Sequence, residues 1–188
     1  LTTIVALPTL LRRDIAITAE QLLAIAPSAS SCDPSAQYAK ECATAQQAAG
    51  PISASFNKYN IKTVNEQAAL LSLIVFESGS FKYDIHHFPG PNPGQGTRNM
   101  QNSQFNIAYA KSVLGSGIDT SNPDAVLAQL TADPVLDFGS AAWFLRNQCT
   151  PAIQDGLANG GQGDWETYIT TCVGTSIGDR QASYQAAL

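Results

Sequence analysis

The stretch that decides the fold covers residues 63–81 and reads TVNEQAALLSLIVFESGSF. It begins with Thr63, and Glu66 follows three residues later, which is the spacing of a capping box at a helix N-terminus. From Ala68 to Phe76 every side chain except that of Ser72 is apolar, so the apolar residues cover all sides of a helix. A helix without a polar face has to be buried, so the pattern predicts a helix over residues 64–77 at the centre of the fold.

This helix ends on an acidic residue, Glu77, which is followed by Ser78 and Gly79. Apolar neighbours disfavour a charged carboxylate, and so does the negative end of the helix dipole. Both effects predict a raised pKa for Glu77, which suits a general acid. Two structural interpretations stay open: Glu77 reaches solvent at the helix end, or it is buried and paired with Arg98 or Arg146.

The remaining sequence is also punctuated as helices. A capping residue stands before a proline at four places, which favours helix starts there: Asp33-Pro34, Asn122-Pro123, Asp133-Pro134 and Thr150-Pro151. The predicted helices cover residues 18–26, 34–48, 52–59, 64–77, 104–114, 123–131, 134–147, 151–158, 164–172 and 179–187. The predicted fold class is therefore mainly α, within the α+β class. No repeat or linker divides the chain, so residues 1–188 are predicted to form one domain.

Residues 80–101 break the helical pattern. Phe81, Tyr83, Ile85 and Phe88 alternate loosely with other residues, and residues 89–96 then hold three prolines and three glycines. Such a pattern cannot continue a helix, and it predicts a short β-hairpin or an irregular loop inserted after the central helix.

The chain has four cysteines and few charges. An even number of cysteines suggests disulfides and an oxidising compartment, and a charged fraction of 13% is typical of secreted proteins. Of the three possible pairings we favour Cys32–Cys42 and Cys149–Cys172, because each closes a local loop. A zinc site is less favoured, since no Cys-x-x-Cys spacing occurs and His86 and His87 are far from the cysteines.

Charge and hydropathy exclude several partners. The net charge of −5 and a pI near 4.8 argue against nucleic acid, which requires clustered Lys and Arg. No apolar run reaches the length of a transmembrane helix, so no membrane span is predicted. The apolar residues 1–11 lack the basic start and cleavage site of a signal peptide, and we interpret them as the first ordered segment of a processed, secreted chain.

Several short motifs together resemble the lysozyme superfamily of glycoside hydrolases. The central helix ends in Glu77-Ser-Gly-Ser-Phe81, and Gly96-Thr-Arg-Asn-Met-Gln101 follows the insert. Residues 138–144, 159–161, Arg180 and Tyr184 resemble the C-terminal part of family 19 chitinases. The chain is most similar to the secreted fungal muramidases of glycoside hydrolase family 184. The resemblance implies a lysozyme-like fold, with a central buried helix and a small β-hairpin or loop insert.

The same resemblance implies an activity and its catalytic residues. The chain would be a lysozyme, that is, an antimicrobial muramidase that cleaves the β-1,4 bonds of bacterial peptidoglycan without a metal or cofactor. Glu77 would be the general acid, and Asp84 the second carboxylate that glycosidases usually need. The alternative for Asp84 is a turn or surface residue.

Substrate binding is expected around the same segment. Aromatic rings and amides suit sugar hydroxyls and N-acetyl groups, and the candidates are Tyr83, His86, Gln95, Asn99 and Gln101. Arg146 and Arg180 could each anchor the core or the Glu77 site. The expected partner is peptidoglycan or another N-acetylated glycan, bound by a monomer.

Two rival functions stay open. A chitinase on the same fold is slightly favoured by the acidic pI, since anionic cell walls attract basic lysozymes. The other rival is a non-catalytic secreted protein, such as a glycan-binding protein or an effector. Glu77 argues against it, because a protein without catalysis has no evident reason to keep this residue.

Overall fold

The structure is a computed structural model that describes residues 15–188. The apolar segment 1–11, predicted as the first ordered part of the chain, lies outside the described residues. Within residues 15–188 the protein is mainly helical, which confirms the predicted class at that level. The helices are α1 (Ala19–Ile25), α2 (Ala45–Lys58), α3 (Val64–Glu77), α4 (Ser103–Leu114), α5 (Pro123–Thr131), α6 (Pro134–Gln148), α7 (Pro151–Asn159), α8 (Gln162–Thr167) and α9 (Arg180–Ala187).

The predicted central helix is α3, and its bounds and burial are confirmed. The Thr63 hydroxyl accepts a hydrogen bond from the N–H of Glu66, and the Glu66 carboxylate accepts one from the N–H of Thr63. Every residue from Ala68 to Val75 is buried. Helices α6, α7 and α9 pack around it. Glu77 therefore stands at the end of a helix that is packed on several sides.

The helices predicted over residues 34–48 and 52–59 are wrong. Residues 34–41 form successive turns, and one uninterrupted helix, α2, begins at Ala45. Its start is a capping box between Thr44 and Gln47. The helix continues through Pro51 although a proline removes a hydrogen bond there, because Ile52 and Phe56 beyond it are fully buried.

The insert after α3 is a loop rather than a hairpin. Among the described residues only isolated bridges occur, from Ile85 to Gly96 and from Gly96 to Gln101, and no sheet forms. Pro89, Pro91 and Pro93 lack the N–H groups that a ladder needs, so the pairing cannot extend. The β part of the predicted α+β class is thus reduced to these bridges.

Both predicted disulfides are present. Cys32 is bonded to Cys42 and Cys149 to Cys172, with sequence separations of 10 and 23 residues. On the chain-entropy model, loops of this size are stabilised by roughly 3 kcal/mol each. The first bridge closes the turns that precede α2, and the second ties the end of α6 to the π-helical turn Tyr168–Val173.

No helix among residues 15–188 is both long enough and apolar enough to cross a membrane.

Candidate functional site

A cavity of about 290 Å³ opens at the C-terminal end of α3. It brings together four residues predicted for the site, which are Glu77, Gln95, Asn99 and Gln101. A neighbouring cavity of about 260 Å³ shares Glu77 and Gln95 with the first and adds Tyr83 and His86. Six of the seven residues predicted for catalysis or substrate binding therefore line these two adjoining cavities, which we call the cleft.

A tight turn directly after α3 holds Glu77 at the cleft. Gly79, Ser80 and Phe81 all have φ near +60°, with values of 58°, 58° and 67°. A left-handed conformation costs non-glycine residues about 1–2 kcal/mol each, and local contacts offset this cost. The N–H of Ser80 donates to the carbonyl of Val75 at 2.7 Å, and the Phe81 ring is fully buried.

Glu77 is paired with Arg180, the first residue of α9. The Nε and Nη2 atoms of Arg180 both donate to Oε1 of Glu77, at 2.9 and 2.6 Å. The guanidinium also lies over the ring of Phe76, 4.3 Å from its centroid. Of the interpretations left open by the sequence, pairing of Glu77 is therefore right, but the suggested partners Arg98 and Arg146 are wrong.

The electrostatics of Glu77 combine two opposing effects. Burial raises the pKa of Glu77, and the Arg180 pair lowers it, with a net upward shift. The direction expected from the sequence is thus confirmed, and desolvation is its largest cause. Oε2 accepts no hydrogen bond from residues 15–188, so it is free to accept one from a ligand in the cleft.

The amides of the cleft are held in place by one another. Asn99 donates from Nδ2 to Oε1 of Gln101 at 3.2 Å, and Gln101 donates from Nε2 to Asn106 at 2.8 Å. Gln95 donates from Nε2 to the carbonyl of Met100 at 2.9 Å. A carboxamide nitrogen has two protons. Each amide can therefore be oriented by the network and still offer one donor to a ligand.

Asp84 does not line the cleft. Its carboxylate is buried beside Arg98, with Oδ2 3.4 Å from Nη2, and the same arginine pairs with Asp137 at 2.6 Å. The carboxylate of Glu41 accepts from the backbone N–H of Asp84 and contacts His87. Geometry therefore gives no support to the prediction that Asp84 is the catalytic partner of Glu77.

Crowding of carboxylates around one guanidinium makes this buried cluster sensitive to pH. Burial raises the pKa of Asp84 from 3.8 to about 6 and that of Asp137 from 3.8 to about 7, although Arg98 opposes both shifts. A carboxyl whose folded pKa exceeds its unfolded value stabilises the fold at low pH. That stabilisation is complete only below the unfolded pKa, near 3.8, and it is lost as the pH rises from there through the folded pKa, about 6 for Asp84 and about 7 for Asp137.

We therefore expect the protein to be more stable near pH 5 than near pH 8, by about 2 kcal/mol or about 5 °C in melting temperature. Thermal melts at the two pH values measure the difference. Asp84→Asn should reduce it, whereas Asp119→Asn should not, because Asp119 is exposed and its pKa is lowered. A melting temperature that is equal or higher at pH 8 would contradict the raised pKa values of Asp84 and Asp137.

No group of three or more His, Cys, Asp and Glu side chains within residues 15–188 is placed to hold a metal ion. His86 and His87 have different surroundings: Nδ1 of His86 is buried without a hydrogen-bond partner among the described residues, and the His87 ring stacks on Tyr38 at 3.6 Å. The sequence left open whether Arg146 or Arg180 anchors the Glu77 site, and the structure places Arg180 there. The sequence missed the Arg98 cluster around Asp84.

Comparison with known proteins identifies a partial relative of this chain. No family model matches the chain. A bifunctional dioxygenase-epoxy alcohol synthase from Fusarium oxysporum is 38% identical over 151 residues, which are 75% of this chain and 12% of that protein. The chain thus spans about one eighth of the length of the relative that it matches.

This match contradicts the predicted enzyme class. The resemblance of short motifs implied a glycoside hydrolase, whereas the relative is named for a dioxygenase and an epoxy alcohol synthase. The glycoside hydrolase assignment is therefore corrected. Those motifs cover only a few residues each, while the match extends over 151 residues.

Proposed function

We propose that this chain is a secreted glycan-binding module whose cleft takes an N-acetylated glycan such as peptidoglycan. The observation that carries the proposal is the cleft itself, where oriented amides surround a carboxylate oxygen with no partner in the described residues. Sugar hydroxyls donate well to a carboxylate, and acetamido groups pair with carboxamides. The apolar walls at Met100, Phe105 and Phe144 suit the C–H face of a sugar ring or an acetyl methyl.

The sequence argued against a binding protein because Glu77 had no evident role without catalysis. The ion pair with Arg180 supplies such a role. Glu77 joins α3 to α9, so a protein without catalysis has a structural reason to keep it. Two disulfides support secretion, since such bonds persist in oxidising compartments. A lysozyme-like arrangement of the helices is part of the proposal, and it is supported by the buried central helix that ends at Glu77.

The test is calorimetric titration with β-1,4-linked N-acetylglucosamine oligomers and with soluble peptidoglycan fragments. We expect binding by the wild-type chain. Glu77→Gln should weaken it about tenfold, because a charge-assisted hydrogen bond is replaced by a neutral one. Oligomers recovered after titration are examined by mass spectrometry, and cleavage would contradict a binding module.

Glu66→Gln is the matched control. Glu66 is on the same helix and is also paired with an arginine, Arg146, at 2.6 Å, but it does not line the cleft. Both substitutions weaken an ion pair, and only the change at Glu77 should alter affinity. Absence of binding by the folded wild-type chain, or equal losses in the two variants, would overturn the proposal.

The Fusarium relative supports a second candidate function. Its 38% identity over 151 residues is a specific reason to ask whether this chain takes part in dioxygenase or epoxy alcohol synthase chemistry. Epoxides form at carbon–carbon double bonds, so the test offers the chain an alkene and oxygen and measures oxygen uptake. Uptake that depends on the chain and is lost when it is unfolded would favour this candidate.

A further inference from the structure

Four aromatic side chains form a cluster beside the cleft, which we call the aromatic shelf: Tyr38, Tyr83, His87 and Phe88. Tyr38 and His87 are stacked at 3.6 Å, and Phe88 meets the other three rings edge-on at 5.9–6.3 Å. Phe88 is nevertheless 63% exposed. The rings of the shelf thus pack against one another, and the phenylalanine among them faces solvent.

Glu41 and the first disulfide hold the rings of the shelf in place. Nε2 of His87 is 2.8 Å from the carboxylate of Glu41, and Glu41 is next to Cys42 of the first disulfide. That disulfide also closes the turns that present Tyr38. Rings that are already held in place lose little entropy when a ligand stacks on them. This makes the shelf suitable for binding and more than a chance exposure of one phenylalanine.

A third cavity borders the shelf. Tyr83 and Phe88 line the 260 Å³ cavity that contains Glu77, and they also line a cavity of about 450 Å³. That cavity adds Ser31, Asp33 and Gln37. Apolar rings bordered by hydroxyl, carboxylate and amide groups match a pyranose, which has an apolar face and a polar edge.

We propose that the aromatic shelf and the cavity beyond it bind further sugar units of the same glycan chain. The ligand is then a polymer, and a mono- or disaccharide fills only part of the groove. The inference rests on the proposed function of the cleft, and continuity of the three cavities through shared side chains carries it.

The experiment compares a disaccharide with a hexasaccharide of β-1,4-linked N-acetylglucosamine by calorimetric titration. Wild type should bind the hexasaccharide at least tenfold more tightly. Phe88→Ala should lose about tenfold in affinity for the hexasaccharide, because one stacking contact is worth about 1.4 kcal/mol. It should weaken the disaccharide by a smaller factor, because Phe88 lines only one of the two cavities of the cleft. Phe88→Trp should restore the affinity, since it keeps a stacking surface.

Val64→Ala is the matched control, because Val64 is also 63% exposed and stands at the opposite end of α3 from Glu77. It should change neither affinity, and thermal melts check that each variant is folded. If wild type binds the hexasaccharide and Phe88→Ala does not change the affinity, the aromatic shelf does not bind sugar units. The proposed function of the cleft is not contradicted by that result. Binding of neither oligomer to wild type would overturn the proposed function itself.

Discussion

Replacement of Arg98 by alanine is expected to lower the free energy of unfolding by about 5 kcal/mol, since a buried cation with several partners is lost. Arg98 is 4% exposed. Its guanidinium donates to Asp137 at 2.6 Å and to the carbonyls of Phe81 and Glu41 at 2.9 and 2.7 Å. Without it, two buried carboxylates and several carbonyl oxygens lose their donor, and each unsatisfied group keeps its desolvation cost.

Urea denaturation of Arg98→Ala at pH 8, above the folded pKa of both Asp84 and Asp137, measures this loss. Lys111→Ala is the control, because Lys111 is exposed on α4. Changes at such surface positions usually stay within about 0.5 kcal/mol. Arg98→Lys should recover only a small part of the loss, since a single ammonium group cannot reach acceptors spread around a planar fork. A loss below about 1 kcal/mol in Arg98→Ala would show that Asp84 and Asp137 are neutral or solvated, contrary to a buried ion cluster.

The role of Arg98 also shows what the sequence can and cannot predict. Glu77, Gln95, Asn99 and Gln101 were expected to lie together, and they do, because the end of a buried helix and the loop after it have to remain neighbours. Asp84 lies between these residues in the sequence but faces away. After the left-handed turn at residues 79–81, the loop directs its carboxylate to Arg98, which is 14 residues further along.

The correct parts of the predicted fold rest on local interactions. The capping box of Thr63 and Glu66 and the apolar run behind it specify α3 without help from distant residues. The errors lie where one local signal has two structural solutions. Asp33 before Pro34 resembles a helix start, yet the Asp33 carboxylate accepts from the N–H and hydroxyl of Ser35 in the first of several successive turns. The burial of Ile52 and Phe56, which depends on the whole fold, decides that α2 passes Pro51.

Long-range ion pairs are the least predictable feature, and the pair at the cleft is the most informative one to test. Glu77 and Arg180 are 103 residues apart in the sequence, and no periodic pattern connects them. Their side chains are 17% and 13% exposed, so the pair is largely removed from solvent. Loss of one partner from such a pair leaves a charge with little hydration, and this is strongly destabilising.

We therefore expect Arg180→Ala to lower the free energy of unfolding by about 3 kcal/mol, a value that includes the lost contact with the ring of Phe76. Glu77→Gln should cost less, about 1 kcal/mol, because its amide oxygen can still accept from Arg180. In the double variant the two losses should not add, and the shortfall is the coupling energy of the pair. Urea denaturation of the wild type and the three variants completes the cycle.

The same cycle at Glu66 and Arg146, a pair at the other end of α3, gives the coupling expected of an ion pair that lies outside the cleft. Equal coupling at both ends would mean that Glu77 is kept for the junction of α3 and α9, as a binding module requires. A coupling near zero at Glu77 would mean that the pair does not hold α9 in place. Glu77 would then have no structural role, and its presence would again argue against a protein that only binds glycans.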